Sequence, residues 1–378
     1  MLLERGTDCN KLSRSEHSQI MMDSENGHTN TMLSNRGADY NACDILGMSP
    51  LLIACKYGHK EIVKMLLHRG TDCTTSGMDS QSPLVMACKH GHTQIMTMLL
   101  ERGADYKKIK GDHQSLLMIA FEHGHTEIVN MLLDREENYD KFDIRGMSPV
   151  TKACEVGRIE TVRMLLDRGA DYDQCDRWDQ SPIMKACGCG HTKIVKMLLD
   201  RGSDCNKCDR WGTSPIGMAC KHNHKEIVRM LLDSGADCNK CDLLGRSLLM
   251  KACILSHTEV ARMLLDRGAD YKKCDSWGQS PLMKACARGH TKKVKMLLDR
   301  GADSNKCDIR GTLPIVMACK YNHTEIVRML LDKGIDCTKC DWLGGSFIIK
   351  ACLVSHTEVI RMLLNRGADY DKCDRLDL

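Results

Sequence analysis

The chain has 378 residues, enough for two or three globular domains, but aromatic residues supply only 4% and prolines number seven, lean figures for a globular enzyme of this length. Its 54 basic residues nearly balance 50 acidic ones, leaving a net charge of +4, so no field of one sign steers the whole chain toward nucleic acid or a membrane. No stretch reaches the roughly 18 apolar residues of a membrane span, and the start, MLLERGTDCN, has no apolar core of signal-peptide length.

Residues 1–6 match the end of a later helix (compare Met296 to Gly301), which leads us to expect further chain upstream. Residues 11–36 keep Gly27-His28 and end in NRGADY, yet HTNTMLSNRG is two residues shorter than HTEIVRMLLDRG. Residues 1–36 are therefore expected to be partial and degenerate repeats, an N-terminal cap or the remnant of a truncated array. From 37 to 378 one pattern recurs every 33 residues, marked by Ala54, Ala87, Ala120, Ala153, Ala186, Ala219, Ala252, Ala285, Ala318 and Ala351, and it ends in a partial copy. No residue is inserted or lost between those ten positions. A period this strict signals stacked supersecondary units, each burying its apolar face only against its neighbours.

The copy at 274–306 displays the build. Ser280 is placed to cap a short helix, with Pro281 at the first helical position, where the missing amide hydrogen costs nothing. All seven prolines (Pro50, Pro83, Pro149, Pro182, Pro215, Pro281 and Pro314) fall in this slot. Leu282 and Ala285 face inward, and the small Ala285-Cys286 pair allows close helix approach. Gly289 ends the helix, and His290-Thr291 open a second one carrying Val294, Met296, Leu297 and Leu298. Gly301 supplies the left-handed residue that closes it. An extended loop folded into a β-turn, around Asp308 and Gly311, leads into the next copy.

The segments SPLMKAC, GHTKIVKMLLDRGADY and D-x-x-G resemble the TPLH-x-A, GH-x-E-I-V-x-x-LL and GAD segments of ankyrin repeats, over residues 35–378. The resemblance implies an all-α solenoid of stacked helix-turn-helix units with β-hairpin loops. It also implies that hairpin tips and the first-helix face contact another protein. One departure is consistent: the family's TPLH histidine is replaced by Leu52, Val85, Met118, Thr151, Met184, Gly217, Met250, Met283, Val316 and Ile349. In the copy around Ala120, Glu136 stands where glycine normally takes positive φ, at a cost of about 1 kcal/mol. Neighbouring loops lose their Cys-Asp pair at Ser76-Gly77 and Ile109-Lys110, so the weakest joint is expected between residues 71 and 143.

A longer period overlies the first. KHNHKEIVRMLL near Ala219 matches KYNHTEIVRMLL near Ala318, and ILSHTEVARMLL near Ala252 matches LVSHTEVIRMLL near Ala351. Residues 175–273 thus form a three-repeat block duplicated at 274–372, which places similar surfaces 99 residues apart and allows two-point binding.

Two features vary from copy to copy and are candidates for recognition. Trp178, Trp211 and Trp277 share one slot at the turn tip, and Trp342 lies one residue earlier. Other copies fill that slot with Leu46, Arg145, Leu244, Arg310 and Leu343, and tryptophan and arginine are typical interface anchors. The plainer alternative is that each indole packs on the adjacent hairpin. The second feature is a lysine ladder, one residue before the slot alanine (Lys152, Lys185, Lys251, Lys284, Lys350) or two after it (Lys56, Lys89, Lys221, Lys320). These positions share one helix face. They suit an acidic partner segment, or form a solvated face balanced by nearby carboxylates.

Nothing points to catalysis. The histidines that open the second helices (His59, His92, His125, His191, His224, His257, His290, His323 and His356) recur with the scaffold, whereas an active site needs unique residues that converge. No P-loop, HExxH helix or GxSxG elbow is present. The 23 cysteines follow the repeat, so a reducing cytoplasm is the expected compartment, with the nucleus left open. Cys205/Cys208, Cys238/Cys241 and Cys337/Cys340 have the CxxC spacing of zinc or redox sites, yet other copies put Tyr271 or Ser304 at the first position. The sequence is thus read as a non-enzymatic scaffold for a protein partner, with no cofactor, resident metal, nucleic acid, membrane or small-molecule substrate. The alternatives are a metal- or redox-responsive protein acting through the CxxC loops, and the targeting array of a larger enzyme.

Overall fold

The computed structural model describes residues 19–30, 39–74, 81–104, 115–135, 145–335 and 356–366. The chain divides into two compact units, Met1–Arg177 and Trp178–Leu378. In the first unit α1 (Gln19–Asn26) precedes four helix pairs: α2 (Pro50–Tyr57) with α3 (Lys60–His68), α4 (Pro83–Lys89) with α5 (Thr93–Glu101), α6 (Leu116–His123) with α7 (Thr126–Leu133), and α8 (Pro149–Val156) with α9 (Ile159–Asp167). The second unit holds α10 (Pro182–Cys189) with α11 (Thr192–Asp200), α12 (Pro215–Lys221) with α13 (Lys225–Asp233), and α14 (Leu248–Ile254) with α15 (Thr258–Asp266). It continues through α16 (Pro281–Ala287) with α17 (Thr291–Asp299) and α18 (Pro314–Lys320) with α19 (Thr324–Asp332) to α20 (Thr357–Leu364). Within each unit a first helix packs on its own second helix and on the first helix of the next copy. This is the all-α repeat solenoid that the 33-residue period predicts.

Local chemistry sets the helix boundaries. Ser49, Ser82, Ser115, Ser148, Ser214, Ser247 and Ser280 each accept, at 3.2–3.4 Å, the amide hydrogen three residues on. That removes one orphan donor per helix and is worth about 1 kcal/mol each. At α18 the capping residue is Leu313, which offers no acceptor, and Pro314 alone presets the start. Where the family carries histidine, Leu52, Met184, Met250 and Met283 are at most 1% exposed. The position has become core, and at Leu52, Met250 and Met283 its amide is held by the serine cap, whereas Ser181 makes no cap bond to Met184. The slot alanines and the cysteines beside them are equally enclosed from Ala54-Cys55 to Ala318-Cys319. Desolvation raises the thiols of Cys88, Cys220 and Cys253 to about 12, so these cysteines are small apolar packing residues.

Second helices close in a double-bonded turn: in α17 the Gly301 amide donates to Leu298 O and the Ala302 amide to Leu297 O, both at 3.0 Å. Gly301 takes φ +82°, and beyond its own chain neighbours a Cβ there would meet nothing nearer than Tyr271 Oη at 4.0 Å. Only backbone conformation demands this glycine. The glycine ending a first helix is different. Gly289 takes φ +71°, and its Cβ would fall 2.6 Å from His323 of the next copy.

The α17 core departs from the expected pattern. Val294, Leu297 and Leu298 are buried as expected, but Met296 is half-exposed and Lys293 takes the fourth inward position, at 1% exposure. The ammonium lies under the turn of the preceding copy, where it donates to Ala252 O at 2.8 Å and to Leu255 O. Burial lowers its pKa from 10.5 to about 8.

Between helix pairs the hairpin loops are shaped by turn hydrogen bonds. Among the described residues only an isolated bridge, Cys241 with Ser247, pairs two loop arms. Glu136, the loop residues 76–77 and 109–110 on which the expected weak joint rests, Trp342, Leu343, Ile349, Lys350, Cys337 and Cys340 lie outside the described residues.

Candidate functional site

Each tip is built on one aspartate. In the copy at Asp275, the carboxylate Oδ1 accepts from the amides of Trp277 at 3.0 Å and Gln279 at 2.9 Å. The Asp275 amide donates to Gln279 O at 3.0 Å, and the Gly278 amide returns to Asp275 O at 2.9 Å. Asp44, Asp209, Asp242 and Asp308 repeat the arrangement. Successive tips are zipped by one further bond, from Arg210 to Trp178 O at 3.2 Å, Leu243 to Trp211 O at 3.3 Å, Ser276 to Leu244 O at 3.0 Å and Ile309 to Trp277 O at 3.2 Å. The first unit has the same bond from Arg177 to Arg145 O at 3.3 Å.

The variable slot therefore serves the frame through its backbone alone. At Trp211, Leu244 and Trp277 the amide is tied to the aspartate of its own turn and the carbonyl to the next loop, while the side chain projects from the tip. Trp211 is 48% and Trp277 44% exposed; Leu46, Leu244, Arg145 and Arg310 are exposed, and Trp178 is half-buried. Leu243 and Ile309, one residue before the slot, are more open still. In the second unit the tips thus present a row of large apolar side chains, a surface of the kind that marks interaction sites.

The lysine ladder splits into two sets. Lysines before the slot alanine are paired: Lys284 with Asp275 at 2.9 Å and Lys251 with Asp242 at 3.1 Å in the turns, and Lys152 with Glu122 at 2.9 Å and Glu155 at 3.5 Å on first helices. Burial alone would raise the Asp242 carboxyl, but the Arg246 amide and the Lys251 ammonium outweigh it and hold the group below its ordinary value. Lys185 donates to Gln180 Oε1 at 2.7 Å and Lys284 to Gln279 Oε1, while the two ammonium groups stand 5.8 Å from the rings of Trp178 and Trp277. The indoles and these lysines, separate features in the sequence, form one cluster. Lysines after the slot alanine are more open: Lys89, Lys221 and Lys320 are exposed, and Lys56 is half-buried beside Tyr57. Neutralised charge lies in the first set and available charge in the second.

The histidines and CxxC cysteines serve the joints. His92, His125, His224 and His323 reach back 36 residues to the carbonyls of Lys56, Lys89, Gly188 and Ala287, at 3.0–3.4 Å. Each ring occupies the space left by a glycine of the preceding copy. Where Asn223 replaces that glycine, at φ +61°, His257 bonds through Nδ1 to Cys220 O at 2.9 Å. Cys205 and Cys238 donate to the carbonyls of Ser234 and Arg267, and Cys208 and Cys241 to those of Asn206 and Asn239. Burial raises the Cys205 and Cys238 thiols, and the preceding aspartates add to it, which disfavours the thiolate that a metal or disulfide exchange needs. Among the described residues no three His, Cys, Asp or Glu side chains converge on a metal-sized site.

Two clefts lie between tips and first helices in the second unit. One, of about 680 Å³, includes Gln180, Asp209, Trp211, Thr213, Gly217, Met218 and Lys221 in its lining. The other, of about 650 Å³, includes Gln279, Asp308, Arg310, Thr312, Val316, Met317 and Lys320. Each residue of the second set stands 99 positions after its counterpart in the first. Gln180 and Gln279 span to the next tip in the same way, donating to Asp209 and Asp308 at 3.4 and 3.2 Å.

A uniform frame of short helix pairs carrying variable side chains at its tips defines a helical repeat protein. A family model described as ankyrin repeats, three copies long, matches residues 1–77, 20–110, 84–176, 151–242, 235–308 and 282–374. The chain belongs to the ankyrin repeat family, whose repeats are general protein–protein interaction modules. A comparison with curated proteins finds no match. Among the described residues no helix is long and apolar enough to cross a membrane.

Proposed function

We propose that the protein is a non-enzymatic scaffold that holds a partner protein against its hairpin tips and first-helix face. One observation carries this reading: at Trp211, Trp277 and Arg310 the tip slot gives its backbone amide to the frame and leaves its side chain exposed. Affinity then comes from side chains held in place before the partner arrives, which lowers the ordering cost of binding. The open lysines, Lys89, Lys221 and Lys320, favour an acidic segment in the partner. The cysteines are free thiols throughout the described residues, in keeping with work in a reducing compartment such as the cytoplasm.

Affinity capture tests the reading, comparing the wild-type chain with a variant carrying Trp→Ala at 178, 211, 277 and 342. The wild type is expected to recover proteins that the variant loses. Recovery of the same proteins by both would reject the tips as the binding surface.

A further inference from the structure

The two clefts of the second unit share seven lining positions at a 99-residue offset. Met218 and Met317 lie half-buried in them, one on α12 and one on α18, and Lys221 and Lys320 stand exposed one helical turn further on. Trp211 at the first tip corresponds to Arg310 at the second. Polarity inside each cleft is largely used up: Asp209 and Asp308 bind tip amides and a glutamine, and in the first cleft Arg246 and Lys251 both pair with Asp242. What each leaves for a ligand is an apolar recess beside a cation, because Lys221, Arg310 and Lys320 make no ion pair among the described residues.

We propose that the protein binds its partner at two points, through one extended acidic segment that carries two apolar side chains, each flanked by a carboxylate. This rests on the tip-and-groove binding proposed above and adds the chemistry and spacing of the ligand. Three repeats separate the clefts. At about 8–10 Å for each packed helix layer, that places them about 24–30 Å apart, which an extended chain rising about 3.3 Å per residue spans in about eight residues. A single determinant fills only one of the two clefts. Joining two that can reach both clefts turns the second contact into an intramolecular one.

The test measures fluorescence anisotropy of labelled synthetic peptides against the full chain. One probe carries a single Glu-Phe-Glu determinant, and two others carry a pair of them, separated by three or by ten Gly/Ser residues. The ten-residue probe is expected to bind about tenfold or more tighter than the single determinant, and the three-residue probe to show no such gain. Lys221→Glu or Lys320→Glu, both at exposed positions, should each return the ten-residue probe to single-determinant affinity. Equal affinity for all three probes, or the full gain with the three-residue spacer, overturns the two-point arrangement while leaving single-point binding at the groove intact. If no probe binds, the acidic-apolar chemistry proposed here is wrong. The scaffold reading itself is judged separately, by the capture experiment.

Discussion

The two three-repeat blocks of the second unit share a frame and differ at a few places that separate stability from recognition. Ile194, fully buried in the first block, has Lys293 as its counterpart in the second. Ser214, which caps α12, has Leu313, which caps nothing. Trp211 has Arg310. The first two changes burden the fold of the second block, through a buried ammonium and an uncapped helix. The third changes only what the tip presents. The frame tolerates these burdens because each joint is held redundantly, by core packing, a histidine reaching back to the preceding copy and a zipped tip.

Lys293→Ile should have the largest effect, because it restores the apolar residue of the first block and removes a buried charge. Resistance to urea is expected to rise by about 2 kcal/mol. The pH dependence identifies the cause. With a folded pKa of about 8 against 10.5, the unfolded chain holds more protons at Lys293 between those values, so wild-type stability gains there as pH rises. The advantage of Lys293→Ile should therefore be widest below pH 8 and shrink toward pH 10.5. A gap independent of pH would mean that packing, not charge, sets it.

Next come the two kinds of glycine. Gly289→Ala meets both a positive φ and the His323 ring, and should cost about 2 kcal/mol. Gly301→Ala, strained in backbone alone, should cost about 1 kcal/mol. Equal losses in urea unfolding would remove the packing role assigned to His323. A smaller effect is expected at the helix starts, where Ser214→Ala should remove about 1 kcal/mol by deleting the cap of α12. A thermal melt of that variant, shifted downward, would check it.

Much of this was legible in the residues. Serine before proline, glycine before histidine and glycine after the leucine pair each mark a local conformation, and ten in-phase copies turn those marks into an architecture. The tip slot could be read as variable, but its exposure could not, because that follows from the aspartate that draws the slot's amide inward. The lysine ladder looked uniform for a related reason: the acids that neutralise Lys251 and Lys284 lie nine residues earlier, in the turn, and meet them only when the loop folds back. Lys293 was visible all along as the lysine in HTKKVKMLL where HTKIVKMLL has isoleucine. The difference shows only when the copies are aligned column by column, because within one copy a lysine at this position is indistinguishable from a solvent-facing one.

The central claim is that the tips carry recognition and contribute little to folding. Urea unfolding of the double variant Trp211→Ala and Trp277→Ala tests it most directly. The claim predicts a transition within about 1 kcal/mol of the wild type, about 0.5 kcal/mol for each exposed substitution. A loss of about 2 kcal/mol or more would show that the indoles pack as structural elements of the hairpins, and would contradict it.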